Sequence, residues 1–395
     1  MKVSLFIVFF LLVFVVQYAN AQTSDTTQVP LIDAFDVIGK VLKRKHEDTL
    51  IEIKEKRVFI SAIPGFGYSQ LKGLALVLES NISFKTNKNA NMSVIDFVPE
   101  FTFRKYIIPR LTASIWFKDN KFNLKTDWRA YKYVLNDYGV GGSTSINKVN
   151  QYQCNYFKVH QVLSRTIKPD LLLGLGYYFD YHGNFKLLNE YQELNSNKQE
   201  FTKPMVSSGI LVNLLFDNRR NENFPVMGET FFNINFIQNL KLLNSTSNYK
   251  TLTTDIRKYY SFSPIKSNVL ALRSFNWLNF DGKAPLFDMA ASQLDYTGSS
   301  SRPLIEGRYR GQNMLYFESE YRFRLTKNEL FGAAIFTNLS SFSEPTSLAF
   351  KKIIYGAGGS FRIKVNKKSN VYFVASYGIG TDKAKGIFFS LGDIF

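Results

Sequence analysis

This chain has almost no cysteine, little histidine and no long apolar run outside its first residues. Cys154 is the only cysteine among 395 residues, so no intramolecular disulfide can form. After residue 21 nothing approaches the ~18 uninterrupted apolar residues that a spanning helix requires. The histidines, His46, His160 and His182, show no zinc-ligand spacing. Phosphate-binding loops, dinucleotide fingerprints and paired zinc motifs are missing too. These absences point away from an enzyme, and neither a metal nor a cofactor is expected. Acidic residues are in deficit, 32 against 49 Lys and Arg, for a formal charge of +17.

What is abundant is aromatic: 16% of the chain, with 37 Phe and 22 Tyr. A soluble domain rarely needs so many, whereas the two interfacial girdles of a membrane barrel do. The chain begins with Lys2, an apolar stretch from Val3 to Val16, and the small residues of Ala19-Asn20-Ala21. Residues 1–21 are therefore expected to be a secretory signal peptide. Residues 22–56 are polar and charged, a periplasmic tether rather than a plug, with a candidate short helix striped by Ile32, Phe35, Ile38, Val41 and Leu42. An exported basic chain meets lipid phosphate and lipopolysaccharide, so nucleic acid is not an expected partner. Part of the charge is expected to line a water-filled lumen.

From residue 57 the hydrophobic pattern has period two. Leu315, Phe317, Tyr321, Phe323 and Leu325 share one parity, and Glu318, Glu320, Arg322 and Arg324 the other. A strand that is charged on one face and apolar on the other needs water on one side and lipid on the other. Asn123, Lys125, Asp127, Arg129 and Tyr131 alternate with Leu124, Thr126, Trp128 and Ala130 in the same way, as do Thr251, Thr253, Asp255 and Arg257 with Leu252, Thr254 and Ile256. Alternation and turn residues predict strands near 57–64, 71–86, 94–106, 108–119, 121–134, 152–167, 169–183, 205–217, 226–240, 248–261 and 266–280. Five more follow at 312–325, 330–342, 351–365, 370–380 and 386–395. The fold class is thus all-β: a transmembrane antiparallel barrel of about sixteen strands over 57–395. Its localisation is the outer membrane of a Gram-negative cell. The long segments 135–151, 184–204 and 281–311 all fall on one parity of connection and the short turns on the other, as such barrels require.

The segment 299–325 resembles the signature region of the BamA/TamA family of outer-membrane assembly barrels (bacterial surface antigen). The resemblance rests on Arg302-Pro303-Leu304, Glu306-Gly307-Arg308-Tyr309-Arg310 and Glu320-Tyr321-Arg322. It implies that loop 281–311, before strand 12, folds into the lumen and is anchored by an arginine. Arg302, Arg308 and Arg310 are the candidate donors, with Glu318 and Glu320 as acceptors. Pro303-Leu304 stands in place of the family's glycine-aromatic pair, and Asn338 where an aspartate is common, so Arg308 or Arg310 is a candidate replacement anchor. Asp217, Arg219, Pro225 and Gly228 resemble the family's periplasmic hairpin. Ile387, Phe389, Leu391, Gly392 and Phe395 resemble its terminal strand signal, with Phe395 expected on the parity of Ile387 and Phe389.

The resemblance implies a short form, since residues 22–56 are too few for periplasmic POTRA domains. The function it suggests is an accessory factor in outer-membrane protein assembly or translocation, acting through a lateral seam between first and last strands. Its partners would be unfolded outer-membrane or exported polypeptides and a separate periplasmic protein. Gly386, Gly392 and Pro64 predict a short seam. The alternatives are a loop-plugged passive channel or lipid-handling pore and, more remotely, an outer-membrane hydrolase using His182.

Overall fold

The computed structural model describes residues 30–34, 36–37, 58–69, 73–103, 106–191, 201–220, 225–226, 228–261, 268–295, 300–367, 370–393 and 395. The expected signal segment and most of the linker, including Phe35, Ile38, Val41 and Leu42, lie outside the described residues.

The alternating stretches form β1 (Val58–Ser69), β2 (Gly73–Phe84), β3 (Ser93–Thr102), β4 (Ile107–Phe117), β5 (Phe122–Asp137) and β6 (Asn150–Lys168). They continue as β7 (Leu171–Asn189), β8 (Met205–Asp217), β9 (Thr230–Asn239), β10 (Tyr249–Tyr260) and β11 (Val269–Gly282). A long insertion carries the two-residue strands β12 (Ala290–Ala291) and β13 (Arg310–Gly311). The wall resumes with β14 (Met314–Arg324), β15 (Phe331–Phe342), β16 (Ile354–Asn366), β17 (Val371–Gly380) and β18 (Lys385–Leu391). Sixteen strands, β1–β11 and β14–β18, form one antiparallel sheet in sequence order, and β12 pairs only with β13. The sheet rolls up until β1 and β18 approach within 8 Å at Cα. The loop before barrel strand 12 is therefore the segment between β11 and β14.

Burial is inverted relative to a soluble protein. Arg273, Arg302, Arg310, Arg322 and Lys364 are fully buried, while Leu175, Ile210, Ile335, Leu339, Phe361, Ile379 and Phe389 are exposed. The apolar side chains face outward around the wall, and the charged ones face a packed lumen.

Two strand expectations need correction. β6 and β7 are 19 residues each, longer than expected. At ~3.3 Å per residue they reach about 60 Å, well beyond what a ~30 Å hydrocarbon layer needs even at a tilt of ~45°. The excess lies at the long-loop end, because β8 pairs with β7 only as far as His182. β1 does not stop at Pro64 but runs on to Ser69, with Pro64 paired opposite Leu78. An edge strand can hold a proline whose missing N–H faces away from its only ladder.

Residues 30–34 and 36–37 lie against the short-turn end, beneath the last strands. The main-chain N–H of Ile32 donates to the Asn328 oxygen (3.2 Å) in the β14–β15 turn. Asp33 accepts from the main-chain N–H of Lys367 (3.0 Å), and Asp36 from its Nζ (2.9 Å), in the β16–β17 turn. Asp33 and Asp36 also cap each other's main-chain N–H groups at 3.0 and 2.9 Å, a reciprocal start signal for the helical turn at Ala34.

Candidate functional site

The insertion between β11 and β14 enters the barrel, and its tip is Ser301-Arg302-Pro303. Leu304 and Tyr309 bury themselves with Phe275, Met314, Tyr316, Phe342 and Ile354, so the loop carries its own apolar core into the lumen. Arg302 is 2% exposed. Its Nη2 donates to Glu318 Oε1 and to Glu320 Oε2 (3.0 Å), and its guanidinium lies 4.1 Å from the centre of the Phe336 ring. Burial works against the Arg302 charge, but Glu318 and Glu320 outweigh it and hold its pKa above the ordinary range. Glu318 also accepts from the Tyr316 hydroxyl. Asn338 contributes an amide rather than a charge: its Nδ2 donates to the Arg302 main-chain oxygen at 2.7 Å. On the facing wall Gly356 is required sterically, since a Cβ there would stand 2.0 Å from that oxygen and 2.9 Å from Pro303 Cδ.

The other two arginines do different work. Arg308 donates to Thr144 Oγ1 (2.8 Å) and the Thr144 main-chain oxygen (2.7 Å) in the β5–β6 loop, and to Asp382 Oδ2 (2.6 Å) in the β17–β18 loop. Tyr309 donates its hydroxyl to the same carboxylate. Burial raises the Asp382 pKa, but Tyr309, Lys352 and Arg308 together bring it below the usual carboxylate range. Arg310 donates to the Leu286 main-chain oxygen at 2.9 Å, and its own main-chain oxygen accepts from Gly141 at 2.7 Å. Arg302 thus grips the wall, while Arg308 and Arg310 tie the insertion to the loops that cover the long-loop end.

The charged network continues from Glu320 to Arg322 (2.8 Å), from Arg322 to Asp393 (2.9 Å) and the Phe395 main-chain oxygen (2.7 Å), and from Asp393 to Arg362. Phe395 is 2% exposed and packs with Tyr259, Val269 and Ala271. Here the structure corrects the expected parity. β18 ends at Leu391, Gly392 takes a left-handed φ of +83°, and the chain turns inward. Ile387 and Phe389 stay on the outer face while Phe395 enters the lumen.

Asp217 and Arg219 form a bidentate pair (both contacts 2.8 Å) at the β8–β9 turn, with Arg219 over Phe231 at 4.4 Å. Gly228, at φ +87°, donates its N–H to the Tyr259 oxygen (3.0 Å). Pro225 is buried, and the adjacent Val226 reaches the inner face of β17 at Tyr372 and Val374. This turn leans across the short-turn mouth rather than hanging free of it.

Among the described residues no ladder joins β1 to β18, although the two strands are adjacent. β18 is seven residues long against twelve for β1. His182 and Ser207 do converge, but Asp288 lies between them. It accepts from Ser207 Oγ at 2.5 Å and contacts His182 Nε2 at 3.0 Å. A serine nucleophile needs its hydroxyl hydrogen-bonded to the imidazole, and here the Ser207 hydroxyl donates to a carboxylate instead.

No family model matches the chain, and no curated protein does. Solved structures do match in fold. BamA from Haemophilus ducreyi, crystallised without POTRA domains 1–3, superposes with a TM-score of 0.57 at 14% identity, covering 85% of this chain and 70% of that one. CdiB from Acinetobacter baumannii gives 0.56 at 13% identity, covering 85% of this chain and 60% of that one.

Proposed function

We propose that this chain, which shares the barrel fold of BamA and CdiB, is an outer-membrane accessory factor that assembles or exports polypeptide through a lateral seam between β1 and β18. The long-loop end then faces outward, and the short-turn end faces the periplasm. One observation carries the reading: among the described residues the first and last strands come within 8 Å at Cα without a shared ladder. Two unpaired strand edges in contact are a break in an otherwise continuous wall, and exposed edges are templates for added strands. The insertion, held in the lumen through a buried ion pair, fits this reading and a loop-plugged channel alike. A client polypeptide and a separate periplasmic partner follow from the same reading.

Deletion of the gene tests it. The expected result is a change in the amounts of particular outer-membrane proteins, restored by the intact chain. An outer membrane unchanged in protein and lipid content, together with ion conductance of the purified barrel in planar bilayers, would favour the channel.

A further inference from the structure

The inner wall of β4–β6 carries an arrangement that packing does not require. Arg110 is directly opposite Arg129 across the β4–β5 ladder, and Arg129 is directly opposite Lys158 across β5–β6. Three cations therefore form one cross-strand row, although like charges in that position repel. Asp127 serves two of them, with Arg129 at 2.8 Å and Lys158 at 3.2 Å. Asp180, opposite Lys158 on β7, is engaged by the Tyr156 hydroxyl (2.7 Å) and by His160 Nε2 (2.5 Å). Arg110 has no hydrogen bond or ion pair among the described residues and is solvent-accessible.

All three cations line one cavity of about 480 Å³. Its other carboxylates are mostly committed: Asp255 to Arg257 and Arg273, Asp295 to Arg273, and Asp288 to His182 and Ser207. Glu306 on the insertion lines it as well. The rest of the lining includes an apolar surface unusual for a wet lumen, with Trp277 of β11, Met289, Leu294 and Ile305 of the insertion, and Phe388 of β18. The volume falls within the range of small-ligand pockets.

We infer that this cavity binds an anionic amphiphile with a single acyl chain, its headgroup on Arg110, Arg129 and Lys158 and its chain against Trp277, Leu294, Ile305 and Phe388. A free anion would leave the apolar surface wet, and a neutral chain would leave Arg110 without a counter-charge. Only a ligand with both parts answers both features. The inference rests on the lining of the lumen and does not depend on polypeptide transport.

Trp277 provides the readout. In a Trp116→Phe/Trp128→Phe background it is the only tryptophan. The protein, in nanodiscs of phosphatidylcholine, is titrated with a doxyl-labelled stearic acid and, separately, with its uncharged methyl ester. The acid should quench Trp277 saturably, with the ester weaker by about tenfold or more, the size expected when hydrogen bonds to a charged group are lost. Arg110→Glu should weaken the acid to a similar degree and leave the ester unchanged; because Arg110 has no partner in the wall, the variant should fold, as retained heat-modifiable migration would verify. Quenching without saturation, equal quenching by acid and ester, or unaltered binding of the acid to Arg110→Glu would each overturn the site.

Discussion

Arg302→Met probes the grip of the insertion on the wall. The substitution keeps much of the apolar stem and removes the guanidinium. Glu320 retains Arg322 at 2.8 Å, but Glu318 keeps only the Tyr316 hydroxyl. Glu318 is 0% exposed, so water cannot solvate the charge it is left with. Removing one partner of a buried ion pair costs about 3–5 kcal/mol, and loss of the contact with Phe336 adds up to ~2 kcal/mol. At ~1.4 kcal/mol per factor of ten, the insertion should open more often by roughly two to five orders of magnitude. Hydrogen exchange of the 300–312 amides in nanodiscs measures that opening directly. Since the main penalty is the stranded Glu318 charge, Arg302→Met/Glu318→Gln should recover more than half of the protection. Exchange within about threefold of the parent, or a double variant as loose as the single one, would refute the ion-pair anchor.

Gly356→Ala places a methyl 2.0 Å from the Arg302 main-chain oxygen; it should loosen the same amides by about 1–3 kcal/mol, the usual cost of overpacking, and equal protection in both proteins would contradict the contact. Asp393→Asn removes the carboxylate shared by Arg322 and Arg362, so deuterium uptake at residues 392–395 should rise while that of β17 stays unchanged. The Asp382 link should depend on acid. Its folded pKa is depressed below the ordinary ~3.9, so its contribution is present above that value and is lost as pH falls through the lower folded one. A nitroxide at Lys383→Cys should keep its mobility from pH 8 to about 5 and gain mobility only below about 4, and Asp382→Asn should abolish that step.

The wall was legible in the sequence wherever one face is charged and the other apolar. Glu318, Glu320 and Arg322 share their parity because the period-two pattern of a strand sets it. Loop-length parity likewise separated the two ends before any contact was known. Phe395 was misplaced because Gly392 interrupts the period, and no pattern tells which way the chain turns after a left-handed glycine. The partner of Arg308 was hidden because Asp382 lies 74 residues away on the last hairpin. Nor could the row of Arg110, Arg129 and Lys158 be read, because it exists only once the register of β4, β5 and β6 is fixed. Gly356 gave no signal at all, since its need is set by a backbone oxygen from another part of the chain.

Cross-linking the seam tests the central claim most directly. Cysteine pairs placed between residues 58–64 of β1 and 385–391 of β18, including Ser61→Cys/Ser390→Cys, should form disulfides on oxidation, because the two strands are adjacent. The locked barrel should keep its heat-modifiable migration yet fail to restore the outer-membrane composition of a deletion strain, and reduction should return its function. A locked barrel that restores the strain as well as the reduced one does would show that the wall has no need to open.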